Sequence, residues 1–173
     1  MNPEIFITDF ERTENTDELH AVFGRALIIA TRFDSMCQAA AIAFEIKTGF
    51  VENVVIGEAE YEEYASKIAE KYRTLNQSIK YIGLPDDISV VLHDARKARN
   101  VVVHELTKGL IGCLDSDVKE EKLLQQVFEL ATDIAYGDLA ISLTISAFND
   151  SPVPKNDFIS SYKDKIVDWV VER

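Results

Sequence analysis

Between residues 17 and 47 apolar side chains recur at the spacing of one helix face: Leu19, Val22, Phe23, Ala26, Ala30, Phe33, Cys37, Ala40 and Phe44. A run of that length without proline predicts one long helix. A weaker apolar line through Ile28, Ile42 and Ile46 falls on the opposite side, and Arg25 and Arg32 lie between the two. A helix apolar on two sides is either central in its bundle or shared with a second subunit. The chain has only 7 Gly and 4 Pro in 173 residues, which favours long regular elements over loops. Its 47% hydrophobic content is enough for the core of a single domain over 1–173.

Four more helices are predicted, for about five in all, in an all-α, up-and-down bundle. The second covers 58–77 after a break at Gly57, and its run of Glu58, Glu60, Glu62 and Glu63 reads as a solvated acidic face. The turn signal Gly83-Leu84-Pro85-Asp86-Asp87 opens a third helix over 87–108, ending near Gly109 and Gly112. Asp115-Ser116-Asp117 caps a fourth over 118–148, with Leu124, Val127, Phe128, Ala131, Ile134, Ala135, Leu139 and Ile145 on its apolar face. The stretch from Asn149 to Pro154 breaks it. Asn156 then caps a C-terminal helix over 156–171, which packs back through Phe158, Tyr162, Ile166, Trp169 and Val170. Residues 1–16 form an N-terminal arm, with Ile5 to Phe10 either a short strand or extended.

The formal net charge is -12, which argues against broad non-specific nucleic-acid binding while leaving room for a small basic cleft. No run of 18 or more apolar residues occurs, so no transmembrane helix or membrane partner is expected. The start, Met1-Asn2-Pro3-Glu4, lacks the basic and apolar regions of a signal peptide. Cys37 and Cys113 form no CxxC and read as reduced thiols, so a cytoplasmic location is expected.

The third helix concentrates the chemistry. His93, Arg96, Lys97, Asn100, His104, Thr107 and Lys108 share one side, a basic stripe on an acidic chain. Ile88, Ala95, Ala98, Val102 and Leu106 form the opposite, core side, flanked by Val91, Val103 and Leu110. Arg99 points toward the flank of the apolar face, where a guanidinium needs a carboxylate. Asp138, set inside the apolar face of the fourth helix, is the expected partner; Asp34 and Glu45 are alternatives. An arginine can stabilise phosphoryl charge and a histidine can move a proton near neutral pH. The plainer account is also open: a Lys/Arg stripe that only solvates its helix, a histidine favoured by the helix dipole, and a structural Arg–Asp pair.

Arg99-Asn100-Val101-Val102-Val103-His104 resembles the R-x4-6-H motif of the HEPN superfamily, in which a polar residue commonly follows the arginine, as Asn100 does here. The motif lies on a late helix of an all-α bundle that begins with a long helix, as over 17–148 here. The resemblance implies a metal-independent endoribonuclease of a toxin–antitoxin, phage-defence or RNA-processing system, without a cofactor. It also implies a homodimer with a composite cleft, an RNA substrate and a protein antitoxin or regulator as possible partners. Carried over, it gives Arg99 the scissile phosphate, Asn100 a positioning or dimer-contact role and His104 the proton transfer; the reading of the helices adds Arg96 and Asp138 as supporting residues. Some family toxins carry a modifiable Tyr two residues after the histidine; Leu106 stands there in this chain. Other members are catalytically silent interaction modules or bind nucleotides, and those are the alternative functions.

No metal site is expected. The chain lacks HExxH and, on its long helices, Glu-x-x-His. Asp115 opens an EF-hand-like run that lacks the glycine at its sixth position and has Gln126 at its twelfth, so it reads as a helix cap. Walker A, GxGxxG and GxSxG motifs are absent. Cys37 reads as core, and His20 and His93 as surface residues.

Overall fold

The computed structural model describes residues 14–52, 58–72, 74–106 and 120–172. Residues 1–13 of the expected N-terminal arm, the Gly57 break, Thr107, Lys108, Gly109, Leu110, Gly112, Cys113 and the Asp115-Ser116-Asp117 cap lie outside them, while residues 14–16 of that arm are helical instead. The fold is all-α. Among the described residues there are six helices and no strand: α1 (Glu14–Glu52), α2 (Glu58–Lys71), α3 (Leu75–Ile82), α4 (Asp86–His104), α5 (Glu120–Phe148) and α6 (Asn156–Val171).

The sixth helix comes from the expected second one, which is two. Thr74 takes an extended conformation (φ -115°, ψ 138°), and its Oγ1 accepts a hydrogen bond from the Gln77 N–H at 3.3 Å. Gln77 Oε1 in turn accepts from the Thr74 N–H at 3.3 Å. This reciprocal pair is a capping box, and it starts a new helix where apolar periodicity alone continued the old one. Gly83, at φ 62° in the left-handed region, ends α3. Pro85 precedes the first turn of α4, where Asp86 and Asp87 suit the helix dipole. At α6 the expected Asn156 cap is not formed: Lys155 is the capping residue, without a side-chain bond.

The central helix is α1, which packs against every other helix of the fold. Its predicted core face is buried at Leu19, Val22, Ala26, Ala30, Phe33, Cys37 and Ala40, with Phe23 and Phe44 half-buried against it. The second line divides: Ile42 and Ile46 pack partly on the core, while Ile28 is 56% exposed. Cations of α1 also close the ends of its neighbours. Arg25 Nε donates to the Val170 carbonyl at 3.0 Å at the end of α6. Lys47 Nζ donates to the Phe148 carbonyl at 2.9 Å at the end of α5, above the Phe148 ring. Both place positive charge where a helix dipole is negative. By length and composition alone, the segment 17–48 of α1 is also apolar enough to cross a membrane, although no wholly apolar run occurs in it.

The most extensive packing joins α4 and α5. Leu92, Ala95, Ala98 and Val102 of α4 are buried there, with Ile88 only half-buried. Leu92, fully buried, belongs to a core that sequence periodicity assigned without it. Each such large aliphatic side chain contributes about 1.5–3 kcal/mol when fully buried. The close approach depends on Gly137: a Cβ there would lie 2.3 Å from the Ala95 Cβ and 3.0 Å from Phe33 Cε2. On α6 the buried residues are Val167 and Val170, while Phe158 and Trp169 are 46% and 42% exposed. The inward face is therefore turned toward the branched aliphatics and away from the aromatics that had marked it.

Candidate functional site

In its middle turns α4 presents Arg96, Arg99 and Asn100 toward the start of α3. With Asp34, Thr74, Leu75 and Asn76 they line a cavity of about 230 Å³. The capping box explains the far wall, since it sets Thr74, Leu75 and Asn76 at the first turn of α3. The α4 wall follows from helical spacing, which groups residues at i, i+3 and i+4 on one flank.

The guanidinium of Arg99 is the most engaged group. Its Nη2 donates to Asp34 Oδ2, forming a part-buried ion pair. Its Nη1 donates to Asn100 Oδ1 at 3.1 Å. The expected Arg99–Asp138 pair is not formed; the alternative carboxylate, the partly exposed Asp34 of α1, takes Arg99 instead. Asp138 is instead buried on α5, 4% exposed, between Arg32 of α1 and Tyr162 of α6. Arg32 Nε lies 3.1 Å from Oδ1 and donates to Oδ2 at 3.2 Å, and the Tyr162 hydroxyl donates to Oδ2. Burial, then the Asp138 bond, pushes the Tyr162 hydroxyl up to about 12. The attraction of Asp138 raises Arg32 further above its ordinary value. This cluster ties three helices together and stands outside the cavity.

Arg96 carries no ion pair among the described residues, and the buried Nε atoms of Arg96 and Arg99 have no hydrogen-bond partner there. A buried donor without an acceptor is costly. His93, one turn before Arg96, is half-buried rather than on the surface, with its Nδ1 buried and unbonded. His104 is exposed at the C-terminal end of α4 and does not line the cavity. The structure thus brings Arg96, Arg99 and Asn100 together and sets His104 and Asp138 apart from them.

Cys37 is buried, and burial first, then the charges of Asp34 and Asp138, push its thiol well above the ordinary range. It is a neutral core residue. Among the described residues no group of three or more His, Cys, Asp or Glu is placed to hold a metal ion. Asp34 stood among the expected partners, but Thr74, Leu75 and Asn76 did not enter the sequence reading. Their signal was the T-x-x-Q spacing of Thr74 and Gln77.

Fold and site together define an all-α bundle with a guanidinium-lined cavity. Comparison with protein-family models, curated proteins and solved structures finds no match to this chain.

Proposed function

We propose that this chain is a HEPN-like, metal-independent endoribonuclease that acts as a homodimer in the cytoplasm, in a toxin–antitoxin or phage-defence setting with a protein antitoxin or regulator. The observation that carries the reading is the convergence of Arg96, Arg99 and Asn100 on one cavity with two unbonded guanidinium Nε atoms. A cavity of this kind suits a phosphate, and it concentrates positive charge locally on a chain of net charge -12.

In the reaction proposed, the 2′-oxygen of a ribose attacks the adjacent phosphorus. His104 takes the 2′-hydroxyl proton as a general base. The P–O5′ bond breaks with its electron pair going to the 5′-oxygen, which takes a proton from water, and the products are a 2′,3′-cyclic phosphate and a 5′-hydroxyl. Arg99 and Arg96 offset the charge that develops on the phosphorane oxygens. Asn100 holds Arg99 through its side-chain oxygen. Positions 99 and 104 lie about 140° apart around a helix, at about 100° per residue. One copy alone therefore points its histidine away from its own cavity, and the composite site needs His104 of a second copy.

Expression in a bacterial host tests this. The wild type arrests growth, and Arg99→Ala and His104→Ala each relieve the arrest. Co-expression of the two variants restores it in part, because a mixed dimer holds one intact composite site. Growth arrest by both variants alone would refute the reading.

A second reading is a non-catalytic module that binds a small phosphorylated ligand. The position of His104 outside the cavity and the occupation of Arg99 by Asp34 favour it. Thermal stabilisation that grows with ligand concentration, without RNA cleavage, would establish it.

A further inference from the structure

The outward side of α1 carries no charge. Ala21, Gly24, Leu27, Ile28, Thr31 and Ser35 are exposed there at helical spacing. The stretch 21–39 holds three charged residues, and each is bonded within the fold: Arg25 to the Val170 and Glu172 carbonyls, Arg32 to Asp138, and Asp34 to Arg99. Thr31 spends its hydroxyl on the Leu27 and Ile28 carbonyls of its own helix, each at 2.9 Å. In the apolar segment 17–48 only 33% of the most apolar stretch is buried inside the fold. The apolar surface continues on α6. Tyr162 and Arg32 share Asp138, which sets that flank of α6 beside α1, and Trp169, seven residues on from Tyr162, is exposed on the same flank. On a chain that is 28% charged, an uncharged outward face of this length marks a contact surface.

Gly24 indicates what covers it. It sits in the interior of α1, where glycine is among the least favourable residues. Its backbone is not left-handed; among the described glycines only Gly83 is. A Cβ at Gly24 would meet nothing within 4 Å among the described residues, whereas one at Gly137 would collide with Ala95. Neither the backbone nor a neighbouring helix of the same chain therefore asks for glycine at position 24. A helix from outside the chain that crosses α1 there would ask for it, because glycine lets two backbones approach closely.

We propose that the outward face of α1 is the contact surface of a homodimer, in which α1 of one copy crosses α1 of the other, antiparallel, about a two-fold axis beside Ile28. This rests on the reading of the chain as a homodimer, and it adds the surface through which the dimer forms. A two-fold contact brings the same patch to both sides. On a chain of net charge -12, most faces would then meet their own carboxylates, and this one has none to meet. Ile28 lies midway between Ala21 and Ser35, the ends of the stripe. The antiparallel sense opposes the two helix dipoles and keeps the acidic starts of the two helices, at Asp17 and Glu18, apart.

The test is sedimentation equilibrium of the full chain over a range of concentrations. Wild type is a dimer. Ile28→Asp is a folded monomer, because the side chain is 56% exposed and the new carboxylate meets its own copy across the axis. Gly24→Ala weakens the dimer about tenfold or more, the size of one overpacked contact. In the monomeric Ile28→Asp background the same alanine raises the melting temperature by about 2–4 °C, since it only improves the helix. Ile28→Cys forms a disulfide-linked dimer on mild oxidation, and wild type under the same conditions does not. A dimer that Ile28→Asp and Gly24→Ala leave intact would overturn this face and keep the homodimer. A wild type that is monomeric at every concentration would overturn the homodimer itself. Co-sedimentation of wild type with phosphatidylcholine vesicles, lost in Ile28→Asp, would give the face to lipid and overturn the proposal. A fall in melting temperature from Gly24→Ala in the monomeric background would show that the fold itself needs this glycine, and would remove the argument for a second copy.

Discussion

Arg99 of α4 is anchored on Asp34 of α1, its Nη2 donating to the carboxylate while Asn100 holds its Nη1. The carboxylate therefore stands where an anionic ligand would compete for the same guanidinium. Asp34 keeps the arginine in place in the free protein and weakens its pull on a ligand.

Replacing Asp34 by Asn removes the competing charge but keeps the shape. Inorganic phosphate binds Asp34→Asn about three- to tenfold more tightly than wild type, measured by calorimetry at low salt. Because both partners are partly solvent-accessible, the lost ion pair costs only about 1 kcal/mol of stability. Unchanged or weaker phosphate binding would show that Asp34 does not compete at this site.

Gly137→Ala tests the α4–α5 contact. Alanine improves helix propensity by about 1 kcal/mol. The new Cβ, however, would fall 2.3 Å from that of Ala95, which is fixed to its own backbone, so the helices must part. Overpacking of this kind costs about 1–3 kcal/mol, and urea denaturation shows a net loss. A stabilised variant would mean that the two helices are not so close.

The Asp138 cluster is structural on this account. Asp138→Ala leaves the Tyr162 hydroxyl without its acceptor and destabilises the fold by about 2 kcal/mol, discounted for the half-exposed Arg32. Tyr162→Phe costs about 1 kcal/mol, and the double variant loses less than the sum. Phosphate affinity is unaffected in Tyr162→Phe; a large change there would link the cluster to the cavity.

His93 is held below the usual histidine range by burial first, then by Arg96, Lys80 and Lys97, with Asp94 opposing. The unfolded chain therefore takes up this proton at a higher pH than the folded chain. The stability involved is fully present above the ordinary histidine value of about 6.5 and is lost as pH falls through the lower folded value. Urea denaturation from neutral to mildly acidic pH shows wild type losing more stability than His93→Gln. Parallel profiles would contradict it.

Helix class and most core positions were legible because apolar side chains at helical spacing must be buried, as Phe33, Val127 and Ile134 are. The break at Thr74 was missed because a capping box is a local hydrogen-bond signal, and periodicity does not register it. Arg99, Arg96 and Asn100 were legible as a polar group on one helix, but which carboxylate met Arg99 depended on how α1 crosses α4, a tertiary fact. Asp138 showed the same limit: its place in an apolar face marked it as paired, and Arg32 and Tyr162 reach it from distant parts of the chain. The wheel also placed His93 and Asn100 on one side without showing that His93 is half-buried with an unbonded Nδ1.

The most direct measurement is RNA cleavage by purified wild type, Arg99→Ala and His104→Ala in excess EDTA, with end-group analysis of the products. The account predicts 2′,3′-cyclic phosphate ends from wild type, and a loss of about 100-fold or more in each variant, the usual size of a lost acid–base or charge-stabilising group. No cleavage by folded wild-type protein across several RNAs, or cleavage retained by both variants, would contradict it.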